Sequence, residues 1–252
     1  MGSIAVDRKE NRSQTFGIEI AARNALFADP VIATGGERLS MQIPTYEALT
    51  GILRSIYYKP GMIFEVEKLR VVNPIQFESK AVLLPNYNKC GGINEKDLRD
   101  LAYFTYLKDV KYQIHAHFYF DKTQVNLYQD FIFGKHEAIF KRSLAAGGRR
   151  DIFLGRRECQ GYVTSIPVGD EWPGEGAYDD VAAYPLGMMY HGLTYPNMAY
   201  DEKTKGHLTM NMFSPVMKHG IITFPKPQDC PIHRTIRPMA MKLFPAQKEE
   251  CK

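Results

Sequence analysis

Val110–Phe120, VKYQIHAHFYF, is the stretch on which the fold turns. Its side chains alternate. Val110, Tyr112, Ile114, Ala116, Phe118 and Phe120 share one face, and Lys111, Gln113, His115, His117 and Tyr119 share the other. A period of two predicts a strand with one face on the core. The same pattern precedes it in TFGIEIAARNALF, where Phe16, Ile18, Ile20 and Ala22 line one strand face. Between them, PTYEALTGILRSIYY sets Leu49, Ile52, Leu53 and Ile56 on one helical stripe. Pro44 stands near its first turn and Lys59-Pro60-Gly61 ends it. MIFEVEKLRVVNPIQF predicts a long strand or bent hairpin, with Pro74 at a bulge or edge.

After Phe120 a loop runs to Phe133. Lys135–Ala146 then predicts a second helix, stopped by Gly147-Gly148, and ECQGYVTSIPV a last strand. The order β-α-β-β-α-β is that of a ferredoxin-like (RNA-recognition-motif-like) α+β domain with an antiparallel sheet, over residues 16–168. Residues 1–15 read as a disordered extension, and 85–100 as a polar loop. Residues 169–252 predict a smaller, β-rich C-terminal region. It opens with GDEWPGEGAYDD, five acids and no base, a solvated excursion. Short strands follow in LGMMYHGLTY, HLTMNMFSPVM and GIITFP, with a hairpin turn at Lys218–Gly220. Four prolines between Pro225 and Pro238 predict an irregular end.

The 252 residues, 44% hydrophobic and 24% charged, suffice for a globular core. Four cysteines form no CxxC pair, the polar start is no signal peptide, and Val6 breaks the myristoylation pattern. No apolar run is long enough to span a membrane. These features predict a cytoplasmic protein with free thiols.

Charge is unevenly placed. Gly134–Glu158 holds seven basic residues (Lys135, Lys141, Arg142, Arg149, Arg150, Arg156, Arg157) against Glu137, Asp151 and Glu158. That excess of four equals the net charge of the whole chain, +4. Concentrated basic charge on an otherwise neutral chain suits a polyanion or a solvated face. A Walker A loop is excluded, because Gln129 stands where its first glycine should be and His136 where Ser or Thr should be. Lys135-His136 at a helix start still offers a cation and a ring whose neutral form the helix dipole favours. Such a pair fits attack of an RNA 2′-hydroxyl on its neighbouring phosphate, and it equally fits an ordinary surface pair.

His115 and His117 share a strand face and with His136 could form a metal set, but nothing supplies another ligand at fixed spacing. Plain sheet-face histidines are the favoured reading, with no metal. Tyr57-Tyr58-Lys59 closes the first helix, where aromatics usually pack and a phenol beside a phosphate could stack or move a proton. AAGGRRDIFLGRRECQGY is glycine-spaced and arginine-rich, suited to RNA better than to duplex DNA.

Several runs, in order, resemble one family: SIYYKP, LRVVNPIQFESK, TYLKDVKYQIHAHF, GKHEAIFKRSLAAGGRRDIFLGRRECQGYV and FPKPQDCPI. Together they look like the CRISPR-associated Cas5 family in its subtype I-C form, over residues 16–235. The resemblance implies a metal-independent, cofactor-free endoribonuclease. It would cut precursor CRISPR RNA within the repeat hairpin, leaving a 2′,3′-cyclic phosphate. It would then hold the guide RNA 5′ handle beside the backbone and large subunits of the type I-C surveillance complex. Whether non-specific duplex DNA is a further partner stays open at this point.

The resemblance assigns proton transfer to His136, charge on the phosphorane to Lys135 and positioning or activation of the 2′-hydroxyl to Tyr57. Lys59, Lys141, Arg142, Arg149, Arg150, Arg156 and Arg157 would grip RNA. The alternative is a non-catalytic subunit that binds the 5′ handle. One geometric tension follows. Parallel helices in an ideal fold would hold Tyr57, at the end of the first, ~20 Å from His136, at the start of the second.

Overall fold

The computed structural model describes residues 11–28, 38–85, 99–169 and 171–241. The strands are β1 (Phe16–Ala25), β2 (Arg38–Leu39), β3 (Met62–Val71), β4 (Phe77–Pro85), β5 (Arg99–Phe120), β6 (Ile152–Phe153) and β7 (Gln160–Ile166). They continue as β8 (Tyr184–Pro185), β9 (Met189–Thr194), β10 (His207–Phe213), β11 (Val216–Met217), β12 (Ile221–Thr223) and β13 (Ile232–Pro238). Two α-helices are described, α1 (Tyr46–Ile56) and α2 (Phe133–Ala145). The result is a mixed α/β fold whose strand pairs are antiparallel, apart from the short parallel pairing of β2 with β5.

The main sheet runs β12-β3-β5-β1-β7-β6. The predicted strand at Val110–Phe120 is the second half of β5. It pairs with β1 from Leu107 to Ala116 and with β3 from Tyr112 to Phe120. β4 pairs with the first half of β5, from Leu107 back to Arg99. β3 and β4 are therefore one antiparallel partner of β5, broken at residues 72–76 where Pro74 falls. Of the predicted alternatives, the long bulged strand is the one adopted, because proline cannot donate to a ladder.

Thr45 caps α1 by accepting from the Ala48 amide at 3.2 Å, and Leu49, Ile52, Leu53 and Ile56 are buried beneath it. Phe140 of α2 packs on Phe16 at 4.5 Å and Phe64 at 5.8 Å between ring centroids. Both helices thus cover the Phe118 face of the sheet.

Several expectations are corrected. Residues 1–10 lie outside the described part. The rest of the supposed extension is tied down, with the Ser13 amide donating to Phe118 O at 2.8 Å and the Gln14 amide to Glu137 at 2.8 Å. Most of the expected 85–100 loop lies outside the described residues, and Arg99 already begins β5. Residues 171–180 of GDEWPGEGAYDD are no free excursion: Glu171, Glu175 and Asp180 are exposed, but the segment is tied to the sheet. Arg70, 4% exposed, donates to Pro173 O, Gly174 O and Asp179, and Trp172 stacks on His115 at 4.0 Å. The proline-rich end contains a real strand, β13, paired with β10. Its prolines flank the strand or close it, where a missing N–H costs little. Strand β12 joins the free edge of β3, so the C-terminal region extends the main sheet.

Candidate active site

The expected distance between Tyr57 and His136 is closed in three steps. First, α2 starts at Phe133, two residues before the predicted Lys135, which puts His136 inside the first turn. Phe131 stacks on Phe120 at 4.6 Å and Phe133 packs on it at 4.7 Å, so aromatic burial anchors the helix entry. Gly61 is required beside them: its φ is +82°, and a Cβ there would lie 2.8 Å from the Phe131 ring. Ala145 then lies only nine positions past His136, ~13 Å along the helix.

Second, Gly147 and Gly148 (φ +83° and +107°) turn the chain back. The Arg149 and Arg150 amides donate to Ile56 O and Ser55 O, each at 3.1 Å, capping the end of α1. Third, Tyr57 leaves the helix in an extended conformation and its ring spans what remains. The Arg149 guanidinium lies 4.6 Å from the ring centroid, and the hydroxyl reaches His136 Nδ1 at 2.8 Å.

His136 Nε2 lies 2.6 Å from Asp130 O. A carbonyl can only accept, so Nε2 carries the proton. In the neutral ring Nδ1 then accepts from the Tyr57 hydroxyl. Both residues are 1% exposed. Burial raises the Tyr57 phenol above its usual range, as does the Asp130 charge, while Arg149 and Lys135 oppose the shift. Lys135 does not touch His136. Its half-exposed ammonium bonds the Asp130 carboxylate, which raises the lysine further. Partial burial pushes Asp130 up, but the Lys135 hydrogen bond and the charges of His136, Lys135 and Lys59 outweigh it and hold the carboxyl below its usual range.

Sequence reasoning missed Asp130. It ends the 3-10 turn Val125–Asp130, inside a segment read as a plain loop, and no periodicity marks it.

The basic residues divide. Arg149 and Arg150 stand at the Tyr57 end, Lys59 adds its charge near Asp130, and Lys141 and Arg142 lie exposed along α2. Beside Arg150 a cleft of 540 Å³ runs between Gly147–Ile152 and Gln160–Tyr162, with Tyr162 70% exposed. Arg156 belongs elsewhere. It pairs with Glu158 at 2.8 Å and lies 5.2 Å from the Phe104 ring centroid, and Arg157 is exposed beside it. His115 is stacked on Trp172. His117 sits near Glu65 and Glu67, its Nδ1 2.9 Å from a Glu67 oxygen but off the hydrogen-bonding direction. Neither meets His136. Among the described residues no group of three or more His, Cys, Asp or Glu is placed to hold a metal. Also among them, no helix is long and apolar enough to cross a membrane.

A buried Tyr-His pair rimmed by lysine and arginine thus lies against a mainly antiparallel sheet, and comparison with known proteins gives the family. The family model for the CRISPR-associated protein Cas5, in its Cas5d form, matches residues 17–225. The chain belongs to this Cas5d family, the type I-C branch of Cas5. It is 28% identical over 206 residues to the CRISPR pre-crRNA endoribonuclease Cas5d of Mannheimia succiniciproducens, covering 75% of this chain and 86% of that protein. Two crystal structures resemble it at TM-score 0.69 and 34% identity, each match covering 89% of this chain and 98% of theirs. One is a CRISPR-associated protein, the other a functionally uncharacterized protein of Streptococcus mutans, SMU1763c.

Proposed function

We propose that the protein is a metal-independent endoribonuclease that cuts precursor CRISPR RNA within the repeat and keeps the 5′ handle. The observation that carries this is the 2.8 Å hydrogen bond between Tyr57 and His136 Nδ1, beneath Arg149 and beside Lys135. The relative named as a pre-crRNA endoribonuclease supports it. In the reaction, the 2′-oxygen forms a bond to phosphorus and the bond from phosphorus to the 5′-oxygen breaks. The 2′-hydroxyl proton passes to the Tyr57 oxygen as the phenol proton moves to His136 Nδ1, and the proton gained there returns by the same route to the departing 5′-oxygen. Lys135 and Arg149 offset the charge that builds on the phosphorane.

Lys59, Lys141, Arg142, Arg149 and Arg150 hold the RNA near the break, and Arg156 and Arg157 a more distant part. The sheet order β3-β5-β1-β7, with α1 after β1 and α2 after β5, supports a ferredoxin-like unit over 16–168. Residues 169–252 form the smaller region, and the backbone and large subunits of the surveillance complex are its partners. Cleavage of the repeat in excess chelator, abolished in His136→Ala with RNA binding retained, is the expected result. Undiminished cutting by that variant would overturn these roles.

A second reading has an observation of its own. Tyr57 and His136 are enclosed and both ring nitrogens are engaged, as in a purely structural pair. A non-catalytic handle-binding subunit would look like this. A 2′-deoxy nucleotide at the scissile position separates the two: it stops cleavage by the enzyme and changes nothing for a scaffold.

A further inference from the structure

Asp130 uses two groups for two tasks. Its backbone carbonyl accepts from His136 Nε2 at 2.6 Å and so sets the tautomer. Its side chain bonds the Lys135 ammonium, with Oδ2 3.6 Å from His136 Nε2 and the charge of Lys59 within reach. The oxygens of one anion therefore stand between a lysine and a buried imidazole N–H, close to the Phe133 helix start.

We infer that the Asp130 carboxylate occupies the seat of the RNA phosphodiester, and that RNA binds by displacing it from Lys135. The inference takes its ligand from the endoribonuclease reading, but the seat itself rests on Lys135, Asp130 and His136. The carboxylate is held ionised, so it has no proton to give a leaving group. If it stayed in place, it would repel the phosphate that Lys135 is to hold. It can leave at little cost, because Lys135 is half exposed and exposed ion pairs are weak. Rotation of the side chain breaks the lysine pair and leaves the carbonyl on His136, so the ring stays set while the seat empties. Asp130 is thus a positioning residue through its backbone and a competitor through its side chain.

The experiment measures binding of a chemically synthesised type I-C repeat RNA that carries a 2′-deoxy nucleotide at the scissile position. Asp130→Asn removes the charge and keeps the carbonyl. Its expected effect is affinity tighter by about twofold to fivefold, the worth of one exposed ion pair. The plot of log affinity against log salt should steepen by about 0.7, one further single-strand phosphate contact. Adding Lys135→Ala should cancel both gains. Asp130→Ser is read the same way if the asparagine variant does not fold. Equal or weaker binding by the neutral variant, or a gain that survives Lys135→Ala, overturns the inference, even if the wild type cuts RNA. A Lys135-dependent gain in a protein that never cuts RNA keeps the seat and removes the endoribonuclease reading.

Discussion

Replacing Tyr57 by phenylalanine separates structure from chemistry at this site. The change removes one hydroxyl and keeps the ring, so packing volume and the 4.6 Å contact with Arg149 survive. What is lost is the donor to His136 Nδ1, 2.8 Å away. His136 cannot recover by moving its proton, because Nε2 must keep it for the Asp130 carbonyl. At 1% exposure water does not replace the donor, and a buried acceptor left without one costs about 1–3 kcal/mol. For a domain of this size that lowers the melting temperature by roughly 2–4 °C per kcal/mol.

The activity loss should be much larger. If proton transfer passes through the Tyr57 hydroxyl, repeat cleavage falls by about 10²-fold or more. Binding of 2′-deoxy repeat RNA should stay within about threefold, because uncharged core groups add little to phosphate affinity. Thermal unfolding, single-turnover cleavage and a filter-binding titration on the same preparation read the three quantities. A variant that melts lower yet cuts at the wild-type rate would refute the reasoning, since the hydroxyl would then only complete the core. Cleavage that falls no more than binding would refute it equally.

Two further outcomes test the frame around the site. Arg70→Ala should cost about 3 kcal/mol, the low end for a broken buried pair, because Asp179 is 40% exposed and can be rehydrated. The chain's one tryptophan, Trp172, should redden in emission as the strap carrying it leaves His115. Unmoved emission and unmoved stability would show that Arg70 does not hold the strap. His191 gives a pH signature. Burial against Tyr46 and Phe213 pushes it down to about 4, although its bond to Pro225 O opposes the shift. Above the unfolded value of about 6.5 neither state is protonated there, and between about 6.5 and 4 only the unfolded state is. Stability should therefore fall by about 3 kcal/mol as pH drops through that window. His191→Phe should flatten that part of the urea-denaturation profile, and an unchanged slope would assign the loss to other groups.

The fold was legible wherever burial imposes a period. β1, α1, β3 and the second half of β5 each bury one face, so their apolar spacing wrote them into the chain. β13 was illegible because all seven of its residues are exposed: its place comes from hydrogen bonds to β10, which leave no hydrophobic trace. The acidic strap failed for a related reason. Much of its hold on the sheet comes from two backbone carbonyls and one aspartate meeting a single buried arginine, far upstream in β3, beside the Trp172–His115 stack and the bond from Gln113 to Pro173 O. Composition sees five acids and predicts solvation, while the energy lies in Arg70, which reads as an ordinary charge on a strand.

The same distinction explains the site. Lys135-His136 and the arginines are conspicuous by type and spacing, and the structure keeps Arg149 and Arg150 at Tyr57 while sending Arg156 to Phe104. One charge-dense segment is therefore two surfaces, divided by the turn through Gly155 (φ +87°), where a Cβ would strike Leu26 O at 1.9 Å. The ~20 Å gap came from treating helix ends as positions of side chains. Phe131 and Phe133 draw α2 forward, Gly147-Gly148 folds Arg149 back, and a tyrosine ring spans the remainder. None of these is periodic, and together they bring a phenol to an imidazole. Asp130 is the least legible residue, because its carbonyl meets His136 and its carboxylate meets Lys135, and neither contact leaves a pattern in the sequence. If RNA displaces that carboxylate as proposed, the enclosure of Tyr57 and His136, each 1% exposed, should loosen when repeat RNA binds, and amide exchange at the start of α2 should rise with it.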